Sequence, residues 1–238
     1  MPYSFYYYRF DPTYILVMLG AILCIVASAR VKMVFRKYKH YRCMAGITGA
    51  EAAARILNAA GIHDVTITNV SGELTDHYDP ARKAVCLSDA VYASSSVAAI
   101  GVAAHECGHA IQHQQSYLPL TLRTAIVPVA NIGSTIAWPL IIIGMLFTRN
   151  TGAGLINLGI ICFSMAVLFQ IVTLPVEFNA SSRALRALGQ QGILSDSELP
   201  YTRKVLRAAA LTYVAGAAAS MLQLLRLVLL FGGRNRND

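Results

Sequence analysis

Two histidines and a glutamate in GVAAHECGHAIQHQQ, residues 101–115, have the types and the spacing of a metal site. On a helix, His105 and His109 lie one turn apart on the same face, so both imidazoles can bind one ion. Glu106 lies one position further round, where its carboxylate can reach a zinc-activated water without ligating the metal. The arrangement predicts Glu106 as the general base of a hydrolase. The alternative is a helix whose histidines form hydrogen bonds elsewhere.

A third ligand must come from outside this helix. A catalytic zinc typically has three protein ligands and one open position. His113 is a poor candidate, because three residues spaced by four on one straight helix do not surround an ion. Glu177, in LPVEFNASSRALRAL, ends an apolar segment, where a carboxylate needs a partner. Pro175 can bend the chain just before it. The alternative for Glu177 is an interfacial charge paired with Arg183.

The composition indicates a membrane protein. Of the 238 residues, 55% are hydrophobic and only 13% are charged, about half the charge of an average soluble domain. The net charge of +8 lies in two clusters beside apolar segments, which fits an anionic lipid surface better than a nucleic acid. The five cysteines form no CxxC pair, which indicates a reducing compartment.

Four apolar segments are long enough to cross a bilayer. They are residues 13–29, 124–148, 151–176 and 208–231. The second and third are joined by RNTG and predict a transmembrane hairpin; the alternative is a hairpin buried in a soluble core, which so short a chain would struggle to cover. In the fourth segment, Arg226 is expected to reach the interface by snorkelling.

Charge predicts the orientation of these segments. Only Arg9 precedes the first one, whereas a basic stretch follows it, so it is expected to be an uncleaved anchor that ends in the cytoplasm. The tyrosines of YSFYYYRF suit the opposite interface. The active site then faces the cytoplasm from a multi-pass protein of the cell membrane. The tail GGRNRND, which would lie outside, carries two arginines against this bias.

These segments predict five regions. They are an anchor with a basic juxtamembrane stretch (1–42), a soluble metallopeptidase part (43–123), a transmembrane hairpin (124–176), a cytoplasmic segment with the third zinc ligand (177–207), and a last transmembrane helix with a tail (208–238).

The soluble part reads as a helix, then strands, then the motif helix. Thr48 and Glu51 have capping-box spacing, and Gly61 offers a stop. VTITNVSGELTDHYDPARKAVCLS alternates as strands do, and its last strand, KAVCLS, is expected to be the sheet edge that a peptide joins. Ser88 or Asp89 is the expected cap of the motif helix. His77 is a candidate electrophile opposite Glu106, with Tyr78 beside it; a turn stabilised by Asp79 explains the same residues.

Three stretches resemble the YugP-like membrane zinc metallopeptidases. They are VAAHECGHAIQH, LPVEFNASSRA and SGELTDHYDPARKAVCLS, and the resemblance covers most of the chain. More distantly, the order of motif helix, hairpin and later glutamate is similar to HtpX-like membrane proteases. The resemblance implies one zinc on His105, His109 and Glu177, with Glu106 as catalytic base. The acidic residue expected four positions after the third ligand is replaced by Ser181, which leaves Asn179 or Ser181 as its substitute.

The sequence therefore predicts a mainly α membrane protein with about four transmembrane helices and a small cytoplasmic α+β zincin-like part that carries the HExxH helix. It is expected to cut a peptide or membrane-protein substrate at the cytoplasmic face of a lipid bilayer, and no nucleic-acid partner is expected. One alternative is an intramembrane protease of the site-2 type, which needs the motif inside a spanning helix. Another is a non-catalytic scaffold with a structural zinc, which has no need for Glu106.

Overall fold

The computed structural model describes residues 11–147 and 149–232, with the side chains of 149 and 150 left aside. The helices are α1 (Tyr14–Tyr38), α2 (Gly49–Ala59), α3 (Asp89–Tyr92), α4 (Val97–Gln114), α5 (Leu118–Leu146), α6 (Arg149–Gln190) and α7 (Leu199–Phe231). The strands are β1 (Thr66–Val70), β2 (His77–Asp79) and β3 (Ala84–Ser88). The tyrosines of YSFYYYRF and the two arginines of the tail lie outside the described residues.

The described chain is mostly helical, with four helices long and apolar enough to cross a membrane. These candidate spans are Tyr14–Tyr38, Leu118–Leu146, Thr151–Gln190 and Leu199–Phe231. Within each span's apolar window, at most 22% of the residues are buried by the rest of the protein. Apolar helices that the protein itself does not cover need lipid around them. The prediction of four apolar membrane helices is confirmed, and the buried-hairpin alternative is not favoured.

Helices α5 and α6 form the predicted hairpin with close backbone contact. A Cβ at Gly144 would lie 2.7 Å from the carbonyl oxygen of Gly152, and such small residues let apolar helices approach each other. Helix α6 already begins at Arg149, so the predicted RNTG turn is the first turn of this helix. The connection is therefore shorter than predicted.

Helix α7 packs against α1, and a polar contact joins them near the end of the last span. The guanidinium of Arg226 lies 3.3 Å from the Asp11 carboxylate and 4.1 Å from the centre of the Tyr14 ring. Asp11, which precedes α1, thus forms an ion pair with Arg226. The charge of Arg226 is therefore stabilised within the protein as well as by any snorkelling to the interface.

The region predicted to be soluble, residues 43–123, contains the predicted helix and strands, but the strands are arranged differently from the expectation. Thr48 and Glu51 form the capping box of α2, and Gly61 follows the helix with φ +70°. The sheet order is β1-β3-β2, with β1 parallel and β2 antiparallel to β3. The expectation that KAVCLS forms a sheet edge is wrong, because β3 is paired on both sides.

The cap of the motif helix also differs from the expectation. Ser88 donates its hydroxyl to Asp76 at 3.0 Å and is followed by the short helix α3, which ends at Tyr92. Helix α4 begins after Ser96, whose hydroxyl accepts a hydrogen bond from the Ala99 N–H at 3.1 Å. The prediction that Ser88 or Asp89 caps the motif helix is wrong. The helix that follows Ser88 is α3, and the motif helix α4 begins separately after Ser96.

Helix α6 runs from the apolar hairpin past Glu177 without a break. It is 42 residues long and continues through Pro175, although proline lacks the N–H that an interior helical position normally uses. The predicted region boundary at 176/177 therefore lies inside a helix, as does the boundary at 207/208 within α7.

Helices α4 and α6 touch backbone to backbone at the motif. A Cβ at Gly108 would lie 2.6 Å from the carbonyl oxygen of Ala180. This contact is closer than any side chain allows, so a glycine in the motif sets the spacing of the two helices that carry its polar residues.

We expect Gly108→Ala to lower the temperature of thermal unfolding in detergent, because overpacking at a tight contact typically costs about 1–3 kcal/mol. Gly154→Ala is the matched control, since a Cβ there would have no atom within 4 Å and alanine is the better helix former. Equal unfolding temperatures for the two variants would contradict the close packing of α4 on α6.

Candidate metal centre

The structure brings His105 and His109 of α4 together with Glu177 of α6. One ligand atom from each residue lies within 4.8 Å of the others. The Glu177 Oε2 atom is 3.2 Å from His105 Nε2 and 3.6 Å from His109 Nε2. The two imidazoles meet edge to face at a centroid distance of 4.8 Å. The group is nearly closed to solvent, and Glu177 is only 3% exposed.

This donor set fits a zinc ion. Zinc binds imidazole nitrogen and carboxylate oxygen at about 2.0–2.2 Å with tetrahedral geometry. Two ligands of such an ion are separated by about 3.3–3.5 Å, as follows from the tetrahedral angle and these bond lengths. The separations of 3.2 and 3.6 Å between Glu177 and the two imidazoles bracket that value.

The charges of the group also call for a cation. Burial lowers the pKa of His109, but its hydrogen bond to Glu177 and the charge of Glu106 outweigh burial and leave this pKa raised. Glu106 and Glu177 thus place negative charge around the His109 ring, which a metal ion can balance as a proton can. Arg183 is not the partner of Glu177; it donates to Asn179 and Gln115, each at 2.6 Å.

The ring nitrogens turned away from Glu177 each have a neutral partner. His105 Nδ1 lies 3.2 Å from the Ser181 hydroxyl, and His109 Nδ1 lies 3.0 Å from the Gln112 side-chain oxygen. Gln112 in turn donates to the Val176 carbonyl at 2.8 Å and to Asn179 at 2.9 Å. Of the two substitutes left open, Ser181 contacts a histidine directly and Asn179 acts through Gln112. Sequence reasoning missed Gln112, although it lies one turn after His109 on the same helix.

Two other potential ligands of α4 face elsewhere. His113 Nδ1 forms a 3.0 Å hydrogen bond with the Tyr78 hydroxyl. Cys107 lies between the motif histidines in sequence, but its thiol points to the Ala53 carbonyl at 3.7 Å. Burial raises the pKa of this thiol, which disfavours the thiolate that a metal would need.

Two further groups border the site. Glu106 is 7% exposed, and burial raises its pKa against the opposing effect of His105 and His109. Tyr213 of α7 lies within electrostatic range of both Glu177 and Glu106. Sequence reasoning missed Tyr213; its only signal was a phenol in an otherwise apolar, alanine-rich segment.

His77 lies on β2, on the exposed surface. Its Nδ1 atom is 2.9 Å from the Thr75 carbonyl oxygen. Among the contacts of the described residues, none joins His77 to His105, His109 or Glu177. Its catalytic role stays a prediction without a contact to support it.

Comparison with known proteins agrees with this chemistry. The profile of the family described as "Putative neutral zinc metallopeptidase" matches residues 13–232. The chain belongs to this family. It is also 50% identical over 212 residues to "Putative membrane protease YugP" of Bacillus subtilis (strain 168), an alignment that covers 89% of this chain and 93% of that protein. No solved structure matches the chain.

Membership of the neutral zinc metallopeptidase family implies zinc as the cofactor, as predicted. The resemblance to YugP-like proteins is confirmed, and the membrane location agrees with the four apolar helices. In the described chain, the group formed by His105, His109 and Glu177 is one that could hold the metal.

We expect the purified protein to hold one zinc per chain. Loss of a residue that only hydrogen-bonds to a ligand commonly lowers metal affinity by about 10–100-fold. Loss of a proposed ligand should cost more, so Glu177→Ala should bind zinc more than about 100-fold more weakly. Ser181→Ala removes such an outer partner, so its zinc affinity should be about 10–100-fold lower than that of the wild type. Zinc measured by mass spectrometry after titration with a chelator gives the affinities.

Glu106→Gln is the matched control in this titration, since it alters a buried acid beside the group but removes none of the three proposed ligands. It should keep the wild-type affinity. Full zinc occupancy in Glu177→Ala would remove Glu177 from the site and direct the search to Asp76 and Asp79.

Proposed function

We propose that this protein is a membrane-embedded zinc peptidase that hydrolyses peptide bonds at the cytoplasmic face, with His105, His109 and Glu177 as zinc ligands and Glu106 as general base. The observation that carries the proposal is the position of Glu106. It is a buried carboxyl group next in sequence to His105, one of three residues that could hold a metal ion. A metal site that serves stability alone has no use for such a group.

Each residue has a distinct part in this chemistry. Zinc, when bound, supplies a Lewis acid that activates a water and polarises a peptide carbonyl. Glu106 accepts a proton from the attacking water and returns it to the leaving amine nitrogen. Because burial raises its pKa, Glu106 accepts this proton more readily than an exposed carboxylate would. Ser181 and Gln112 hold the two imidazoles in one orientation and one tautomer.

Tyr213 is our candidate for the group that stabilises negative charge on the substrate oxygen. It lies within electrostatic range of Glu177 and Glu106 and belongs to α7, whereas the histidines belong to α4. A phenol that donates a hydrogen bond to a developing oxyanion is worth several kcal/mol when it is fixed in place; about 2.7–4 kcal/mol is typical of one such donor.

The substrate strand is expected to join β2. Since β3 is central, β2 is an edge of the sheet, and Tyr78 links it to His113 of the motif helix. An extended peptide paired with this edge gains backbone hydrogen bonds that do not depend on its sequence. His77 lies on that edge and would contact the bound peptide there.

The basic residues favour the cytoplasmic side. Arg30 directly follows the apolar part of α1, and Arg207 directly precedes the last apolar segment. Positive charge near the ends of spans favours the cytoplasmic side. We therefore assign the soluble part, with the proposed zinc site, to the cytoplasm. We keep the five predicted regions as a description of which residues lie inside and outside the membrane, although the boundaries at 176/177 and 207/208 fall within helices.

The two alternatives fit the geometry less well. A site-2-type protease needs its motif in a spanning helix, but α4 is not among the candidate spans of the described chain. A structural zinc in a scaffold explains the donor set but gives Glu106 and Tyr213 no role. Hydrolysis at the membrane surface accounts for both residues.

We expect Glu106→Gln to cut peptide hydrolysis by about 10²–10⁴-fold while zinc content stays unchanged, because the substitution keeps the size of the side chain and removes proton acceptance. The assay compares cleavage of a membrane-protein panel in nanodiscs, with zinc measured on the same samples. A zinc-directed hydroxamate should stop the wild type.

Tyr213→Phe in the same assay removes only a hydroxyl and should lower kcat about 10²–10³-fold, the usual loss for one oxyanion donor. Equal cleavage by wild type and Glu106→Gln would exclude Glu106 as the base. Unchanged kcat in Tyr213→Phe would exclude only the role of the tyrosine.

We expect the soluble part to be labelled only from the cytoplasm. In a cysteine-free background, a thiol reagent that cannot cross membranes should miss Lys83→Cys in intact cells and modify Thr151→Cys at the far end of the hairpin. The reverse pattern would overturn the orientation but leave the zinc site unaffected.

A further inference from the structure

A second site lies between α1, α6 and α7, beside the proposed zinc site. It is a cavity of about 730 Å³. Four of its lining residues are arginines: Arg30, Arg186, Arg203 and Arg207. The rest of the lining is apolar or a serine, and none of it is acidic. A cavity so lined attracts an anion with an apolar portion.

A neighbouring cavity extends this basic lining. It has a volume of about 670 Å³ and shares Arg30, Arg207 and Leu211 with the first cavity. It adds two lysines, Lys37 and Lys204. Six basic side chains therefore surround two adjoining cavities, and like charges this close together repel one another unless an anion lies between them.

The protein itself supplies no such anion within its described residues. The ion pairs found there involve Asp11, Asp64, Asp79 and Glu177 as acids, and none includes any of these six basic residues. A solvated juxtamembrane charge is the ordinary explanation for one exposed arginine. It does not explain why arginines of three different helices line one cavity.

The cavity is lined by residues of three candidate spans, α1, α6 and α7. Arg30 and Arg207 each adjoin the apolar part of a span, and Phe178 directly follows the carboxylate that ends the apolar part of α6. Two of the apolar lining residues are open to the surroundings, Phe178 at 50% and Leu211 at 40% exposed. Next to a bilayer, this exposed apolar surface contacts acyl chains.

We propose that the cavity binds an anionic phospholipid, with the headgroup phosphate among the arginines and the acyl chains along Phe178 and Leu211. Basic pockets between spanning helices on the cytoplasmic side are a known means of holding such headgroups. An acidic substrate segment shares the charge but does not need the exposed apolar margin. The lipid therefore fits both parts of the lining.

The position of the lipid gives it a structural role at the proposed zinc site. Ser181 lines the cavity, and its hydroxyl lies 3.2 Å from His105 Nδ1. A headgroup bound to α6 and α7 together would hold the two helices that carry Glu177 and Tyr213. The binding itself does not depend on the proposed enzymatic activity.

Lipid retention measured by native mass spectrometry tests this site without an activity assay. The protein is released from mixed phosphatidylglycerol and phosphatidylcholine nanodiscs. We expect wild type to retain phosphatidylglycerol and the double variant Arg203→Gln/Arg207→Gln to retain it about 30-fold less, at roughly fivefold per basic residue. The matched control is Lys32→Gln/Arg36→Gln, which removes two exposed charges of the same juxtamembrane level that line neither cavity.

Each outcome bears on the proposal. Selective loss in the cavity variant supports it, provided zinc content and unfolding temperature match wild type; if this variant unfolds, Arg186→Gln replaces it. Equal loss in both double variants would show general charge attraction and overturn the site. Binding of inorganic phosphate or an acidic peptide that depends on Arg203 and Arg207, without a preference for phosphatidylglycerol, would overturn the lipid as its occupant.

Discussion

The contact between Glu177 and the two motif histidines is the interaction on which the rest of the structure depends. A carboxylate and two imidazoles removed from water are costly unless they satisfy one another or share a cation. Here the partners lie on different elements, two on α4 and one on α6. The site therefore exists only when α4 packs directly on α6, and the contact at Gly108 permits that approach.

A single helix links the bilayer to the site. Helix α6 passes from the apolar hairpin through Pro175 to Glu177 and continues for three more turns, so no flexible loop separates the membrane from the proposed ligand. The height of Glu177 above the apolar segment is fixed by the helical rise of 1.5 Å per residue. Under the proposed function, substrates would therefore present their scissile bond near the end of the apolar part of α6.

Local patterns in the sequence predicted local structure well. The helical period placed His105 and His109 on one face, the capping box formed at Thr48, and apolar length gave four candidate spans. Glu177 could be proposed because a carboxylate is rare at the end of an apolar segment. Contacts between distant segments could not be predicted in this way. Three features depend on partners that no local period specifies. They are the central position of β3, the hydrogen bond from Ser88 to Asp76, and the position of Tyr213 near Glu177 and Glu106.

The neutral partners of the histidines shape the electrostatics of the site. When the Nε2 atoms face the metal, each Nδ1 carries the proton and donates it to an uncharged oxygen, of Ser181 or Gln112. A carboxylate in either place would fix the tautomer equally well but add negative charge and make the imidazole more basic. Serine and glutamine fix the rings without that charge. Ser181, four positions after Glu177, therefore adds no negative charge beside His105, and the ligands would leave more of a bound metal's positive charge to act on water and substrate.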